Sequence, residues 1–268
     1  MRTTLSFTER LADYLQQFTE AVRRYDGTTC RSAELESAID AYAAFVTDEA
    51  NLTAWRVMER EAPDTLDRLA SDLRAASARC VSLMEKYRAR KLLDGSAERT
   101  DYFRNIEACI DREFGRFRVT DASRVVLVGS GAFPMTPLLI AKRTGAQVTG
   151  VDIDEEAVEL GRKVAAVLGE GLPIRLEHIS VERHAGIEDA THIIFSSTVS
   201  VKYELLDRLH PLTGEGVVVA MRYGDGLKSL FNYPSRETDP GRWLLADAVH
   251  QPDQVFDIAL YRKVGADE

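Results

Sequence analysis

The sequence is poor in the groups that would announce the simplest chemistries. Its three cysteines, Cys30, Cys80 and Cys109, are odd in number and far apart. They form neither a CxxC pair nor a zinc spacing, and they read as buried free thiols of a reducing compartment. The five histidines include no HExxH, and His178, His184 and His192 lie close in sequence without a shared helical face. No metal site is therefore expected. Positive charge is in deficit: 34 lysines and arginines face 43 acidic residues, for a net charge of −9. That balance argues against nucleic acid as a partner, while local basic groups can still meet a small anionic or zwitterionic ligand. No apolar run reaches the ~20 residues of a membrane span. Met1-Arg2-Thr3-Thr4 leads into a charge-interrupted amphipathic segment rather than a signal peptide. A cytoplasmic protein is expected, with no membrane partner.

What is present is an ordinary globular composition, 45% hydrophobic and 29% charged over 268 residues, enough for one large domain or two modest ones. The pattern divides near residue 118. Before it, the apolar period is helical. Ser6-Phe7-Thr8-Glu9 reads as a capping box, followed by Leu11, Leu15, Phe18 and Val22 at three- and four-residue steps. Further helices are predicted over Ala33–Val46, Leu52–Arg60 and Asp101–Phe117. A long one runs from Thr65 to Leu93, striped by Leu66, Leu69, Leu73, Ala76, Cys80, Leu83 and Tyr87 and ended by Asp94-Gly95-Ser96.

After residue 118 short apolar runs alternate with helices. Strands are predicted at Val125–Val128, Gln147–Val151, Ile174–His178, His192–Ser196 and Gly216–Arg222, with helices at Pro134–Arg143, Glu155–Leu168 and Lys202–His210. Such alternation implies a parallel sheet with right-handed crossovers. Trp243–Val249 and Val255–Arg262 complete it as an edge hairpin. The predicted class is α/β, with a helical domain over 1–118 that contributes to the substrate site and a Rossmann-like domain over 119–268.

The first strand runs into Gly129-Ser130-Gly131-Ala132-Phe133-Pro134. Glycines there permit a tight turn and close approach of a ligand to the backbone. Pro134 suits the first helical position, and the helix start offers free amides and a positive dipole end to an anion. Asp152, 21 residues after Gly131, ends the second strand where an acid accepts ribose hydroxyls. Nicotinamide dinucleotides and S-adenosylmethionine both use this arrangement. Replacement of the third fingerprint glycine by Pro134, together with a terminal hairpin of the kind that ends class I methyltransferase folds, favours the sulfonium compound.

The loop Val128-Gly129-Ser130-Gly131-Ala132-Phe133-Pro134-Met135-Thr136 resembles the GSGxxPxT loop of nicotianamine synthases. Arg222-Tyr223-Gly224-Asp225-Gly226 through Asn232-Tyr233-Pro234 resembles that family's R-x-x-x-G…Y-P segment. The resemblance spans nearly the whole chain. It is strongest to the compact bacterial branch that makes opine-type metallophore precursors of the staphylopine and pseudopaline kind. It implies a transferase that moves the 3-amino-3-carboxypropyl arm of S-adenosylmethionine, its co-substrate, onto the amine of histidine and releases 5′-methylthioadenosine. The product would pass to an opine dehydrogenase, and a homodimer is compatible with the pattern.

The resemblance also implies roles for residues. Gly129, Ser130, Gly131, Phe133, Pro134, Thr136, Asp152, Ile153 and Ser197 would hold the co-substrate, with Ser196 and Thr198 beside Ser197 at the end of the fourth strand. Arg222 ends a central parallel strand, where such sheets bind ligands, and its guanidinium can hold a carboxylate in two parallel bonds; with Tyr223 and Tyr233 it is expected to bind the acceptor or the transferred arm. The family's L-E-x-H-Y context corresponds to Leu83-Met84-Glu85-Lys86-Tyr87, with the acid offset by one position. Glu85 is the candidate base, against the alternative of a solvated carboxylate paired with Lys86 or Arg88. Tyr102 is a second candidate for the catalytic site. The family's Y-x-N-Y segment falls on Tyr102–Ile106, so its last tyrosine is Ile106 here, which weakens the case for nicotianamine itself. Nicotianamine synthesis proper and small-molecule methylation are the alternatives.

Overall fold

The computed structural model describes residues 6–95, 113 and 118–265. Cys109 and Tyr102, and the helix expected over Asp101–Phe117, lie outside the described residues apart from Glu113.

Four helices open the chain: α1 (Phe7–Arg23), α2 (Ser32–Thr47), α3 (Ala50–Glu61) and α4 (Pro63–Leu93). The capping box closes as expected. Ser6 Oγ accepts from the Glu9 amide at 3.2 Å, and Glu9 Oε2 accepts from the Ser6 amide at 2.7 Å. Pro63 starts α4, where the absent amide proton costs nothing. The helices meet in a core of Leu11, Phe18, Tyr42, Leu66, Leu73 and Cys80. Cys30 is exposed, a correction to the expectation of buried thiols. It sits in the turn before α2, outside the apolar stripes that bury Cys80.

The second half forms one seven-stranded sheet in the order β3-β2-β1-β4-β5-β7-β6. Its strands are β1 (Arg124–Val128), β2 (Gln147–Asp152), β3 (Ile174–His178), β4 (His192–Phe195), β5 (Val218–Tyr223), β6 (Trp243–Val249) and β7 (Asp257–Lys263). The first five are parallel, and β7 pairs antiparallel with β5 and β6. Helices α5 (Met135–Thr144), α6 (Glu155–Leu168) and α7 (Lys202–Leu209) make the crossovers. Separate apolar cores lie on the two sheet faces, which is why the parallel strands read as continuous apolar runs rather than alternating ones.

Two devices join the halves. A 3₁₀ segment after β5, Gly226–Leu230, pushes Leu227, Leu230 and the following Phe231 into the helical core. Tyr42 donates to the Leu230 carbonyl at 2.8 Å, and Arg74 to that of Ser229 at 2.8 Å. On the other side, Lys86 of α4 reaches Asp154 at 2.7 Å and Glu156 at 2.8 Å at the start of α6, while Arg90 bonds Glu156 and Tyr25. Such charge-assisted networks orient as well as attract. Together they set α4 against the carboxyl edge of the sheet.

Candidate active site

Open parallel sheets bind ligands where the strand order reverses, here between β1 and β4. A cavity of about 700 Å³ opens at that point, a size typical of small-molecule sites. The loop after β1, the ends of β2 to β5, and the inward face of α4 line it.

The glycine loop is held by its own amides. Gly129 and Ser130 donate to the Val151 carbonyl at 2.9 and 3.2 Å. Gly131 donates to Asp152 Oδ2 at 2.9 Å, and Ala132 to Glu85 Oε2 at 3.2 Å. Gly129 and Gly131 have φ of 80° and 65°, conformations that side chains rarely adopt. At Gly131 a Cβ would also overlap the Glu85 carboxylate. Pro134 is the N-cap of α5 rather than its first helical residue. The reason is local: Met135 donates back to the Phe133 carbonyl at 2.8 Å, which keeps Pro134 out of helical geometry.

The expectations that converge here are Glu85, the loop residues Gly129, Ser130, Gly131 and Phe133, then Thr136, Asp152, Ile153 and Ser197, all of which line the cavity. Asp152 Oδ1 also accepts from the Asp154 amide at 3.0 Å, so its orientation is set before any ligand arrives. Ile153 is 79% exposed and offers an apolar shelf at the rim. Ser130 is buried with its hydroxyl unpartnered in the cavity wall, and a buried hydroxyl of that kind is a strong pointer to a polar ligand.

Glu85 decides between its two readings. Lys86, one residue on, pairs with Asp154 and Glu156, while the Glu85 side chain turns to the loop. Protein atoms crowd it, and its remaining exposed surface faces the cavity. Burial, and secondarily the charge of Asp152, raise its pKa to about 8. The Ala132 amide and Arg88 pull the other way. It is a half-buried carboxyl whose pKa is raised well above the ordinary carboxylate range.

Three substrate-side expectations change. Arg222 does line the cavity, but its fork is taken. Nε and Nη2 bond Glu113 Oε1 and Oε2 at 2.6 and 2.8 Å, and Nη2 reaches Thr136 Oγ1 at 3.3 Å. Both partners are buried, so Arg222 does not present a free bidentate face to a carboxylate. Tyr223 follows it on the strand, and alternation sends its side chain into the core of the opposite sheet face. Tyr233 lies outside the cavity lining. Its ring rests under Arg74 and its carbonyl accepts from Lys202.

Lys202 and Glu113 were not singled out from the sequence. Lys202 is fully buried at the start of α7 and donates to the carbonyls of Arg222 at 2.7 Å and Tyr233 at 2.9 Å. Burial lowers its pKa to about 7. A signal existed: Lys202 occupies the apolar stripe of Leu205, Leu206 and Leu209, where a cation is anomalous. Glu113 carried no comparable mark.

Comparison with known proteins matches this geometry. No family model matches the sequence. An L-histidine 2-aminobutanoyltransferase of Yersinia pestis is 30% identical over 200 residues, covering 74% of each chain. The chain belongs to that family. The enzyme of the same name from Pseudomonas aeruginosa is 28% identical over 232 residues, covering 86% of this chain and 87% of its own. In fold the chain resembles MtNAS in complex with MTA and tNA, with a TM-score of 0.77 and 16% identity over 98% of this chain and all of that one. A mutant of MtNAS in complex with S-adenosylmethionine gives 0.73 and 19% over 94% and 98%. The resemblance to the nicotianamine synthase family and its opine-metallophore branch is thereby borne out. So is a helical bundle followed by a Rossmann-like sheet.

Proposed function

We propose that this transferase moves the 3-amino-3-carboxypropyl arm of S-adenosylmethionine onto the amine of histidine and releases 5′-methylthioadenosine. The observation that carries the reading is Glu85, a cavity carboxyl of raised pKa held on the glycine loop itself. A carboxyl in that place suits an acceptor that must lose a proton before it reacts, as a protonated amine must. The residues present fit the co-substrate. Asp152 suits the ribose, Ile153 the adenine face, and Ser130, Gly131 and Ser197 the methionyl part.

When bound, S-adenosylmethionine supplies a sulfonium-activated γ-carbon, to which the amine nitrogen bonds as the carbon–sulfur bond breaks and methylthioadenosine leaves with the electron pair. Ionised Glu85 takes the proton that the ammonium must lose before its lone pair can react. The cavity between α4 and the sheet would hold amine and carbon together, an arrangement worth several kcal/mol in pre-organised geometry. Arg222 acts here as a positioning residue, its guanidinium held by buried Glu113 and bonded to Thr136 of the cavity wall. A cytoplasmic enzyme that hands its product to an opine dehydrogenase completes the reading.

Incubation with S-adenosylmethionine and histidine is expected to yield methylthioadenosine and a singly extended histidine, read by mass spectrometry. S-adenosylhomocysteine as the main product would instead mean methylation, and several arms on one acceptor would mean nicotianamine synthesis. In calorimetry, Asp152→Ala is expected to weaken S-adenosylmethionine binding by about 1–3 kcal/mol through lost charge-assisted bonds. Unchanged affinity would remove Asp152 from the ribose site.

A further inference from the structure

Helix α4 presents more than Glu85 to the cavity. Ala78, Val81 and Ser82 line it as well. Ser82 lies three residues before Glu85, on the same helical face and roughly 4.5 Å along the axis. Helical serines and threonines commonly turn their hydroxyl back onto a carbonyl of the preceding turn. This chain does so repeatedly: Ser77 bonds the Arg74 carbonyl at 3.1 Å, Thr19 that of Leu15 at 2.7 Å and Thr47 that of Ala43 at 2.9 Å. Ser82 does not. Its hydroxyl has no hydrogen-bond partner among the described residues and stands half-exposed in the cavity wall.

The cavity lining also includes Ile39 and Ala43 of α2, Phe231 after the 3₁₀ segment, and Gln254, Val255 and Phe256 before β7, most of them apolar. Asn232 also borders the cavity. Its Nδ2 donates to the Val255 carbonyl at 2.5 Å, while its Oδ1 is buried without a hydrogen-bond partner and can only accept. Because a carbonyl only accepts, the amide cannot turn over to offer its nitrogen elsewhere.

We infer that Ser82 reads the side chain of the acceptor amino acid, through a hydrogen bond to a nitrogen or oxygen carried one ring or two bonds beyond Cβ. The inference rests on the arm-transfer reading, with the acceptor amine at Glu85. An amine bound there places its own side chain about one helical turn away, a span that Cβ and a five-membered ring cover. Apolar walls accept the ring faces, and Ala43 and Ala78 leave the room. A hydroxyl both donates and accepts, so it serves either tautomer of a neutral imidazole. An aliphatic acceptor forgoes that hydrogen bond and binds correspondingly less tightly.

The test uses the purified full-length enzyme and its methylthioadenosine release with L-histidine. Ser82→Ala is expected to raise the KM for histidine about 2–13-fold, the net range for one hydrogen bond to a neutral group. It should leave kcat and S-adenosylmethionine affinity near wild type, and Ser82→Thr should restore most of the loss. A kcat that falls as far as kcat/KM, or a KM within twofold of wild type, would overturn the role of Ser82. Wild-type enzyme that releases no methylthioadenosine with histidine would overturn the arm-transfer reading itself, and this inference with it. Retained S-adenosylmethionine binding in Ser82→Ala certifies that the variant is folded.

Discussion

Glu85→Gln is expected to lower turnover by a factor on the order of 10² or more while leaving S-adenosylmethionine bound. Glutamine keeps the shape of the side chain and can still accept from the Ala132 amide, but it takes no proton. In the wild type, kcat/KM for the acceptor should rise with pH toward about 8 as Glu85 ionises. The variant should lose that limb and recover part of its rate only at higher pH, where the acceptor amine sheds its own proton. The stability of the ligand-free protein supplies an independent readout. Burial raises the Glu85 pKa from 4.5 to about 8 in the folded state. Between those values the unfolded chain has lost a proton that the folded protein still holds, so stability falls as pH rises through the window. Glutamine removes that fall, and Tm at pH 8–9 should exceed wild type by ~2–4 °C for each kcal/mol recovered. Turnover within a few-fold of wild type at neutral pH would clear Glu85 of the role of base.

Gly131→Val is expected to abolish co-substrate binding, by more than about 100-fold in Kd. Two costs add. Valine at φ 65° is strained by roughly 1–2 kcal/mol from Cβ crowding alone. Its side chain would also occupy the space between the loop and Glu85, displacing the carboxylate and the loop amides that Asp152 organises. Gly145→Ala is the control. That glycine caps α5 at φ 75°, away from the cavity, and its Cβ would meet only the Asp121 side chain at 3.5 Å and its Cα at 3.9 Å. It should lose about 1 kcal/mol of stability with affinity intact. Calorimetry that finds similar affinities for both variants would sink the loop as the binding site.

Much of this was legible in one dimension because it depends on short-range rules. The capping box at Ser6 and Glu9, the period of α4, the glycine turn after β1 and the acid ending β2 are each set by neighbours within a turn or a strand. Those patterns yielded the bundle-then-sheet order, the position of the cavity at the end of β1, and the loop residues that line it. They also placed Glu85 on α4, though with two readings in balance.

The remainder depended on which side chains meet across the fold. Spacing along α4 could not say whether Glu85 or Lys86 faces the sheet. The Lys86 bonds to Asp154 and Glu156, 68 and 70 residues away, settle the rotation of the helix and so turn Glu85 onto the loop. Arg222 at a strand end suggested a carboxylate-binding fork, and only tertiary packing brings Glu113 in to occupy it. Tyr223 and Tyr233 shared its motif, but the period-two pleat of β5 sends Tyr223 to the opposite core, and Tyr233 is held at its backbone by Lys202. Local periodicity determines which elements form and which face of each is apolar. The identity of the groups in the cavity was decided by long-range burial, since a charged side chain goes where a distant partner offsets the cost of leaving water.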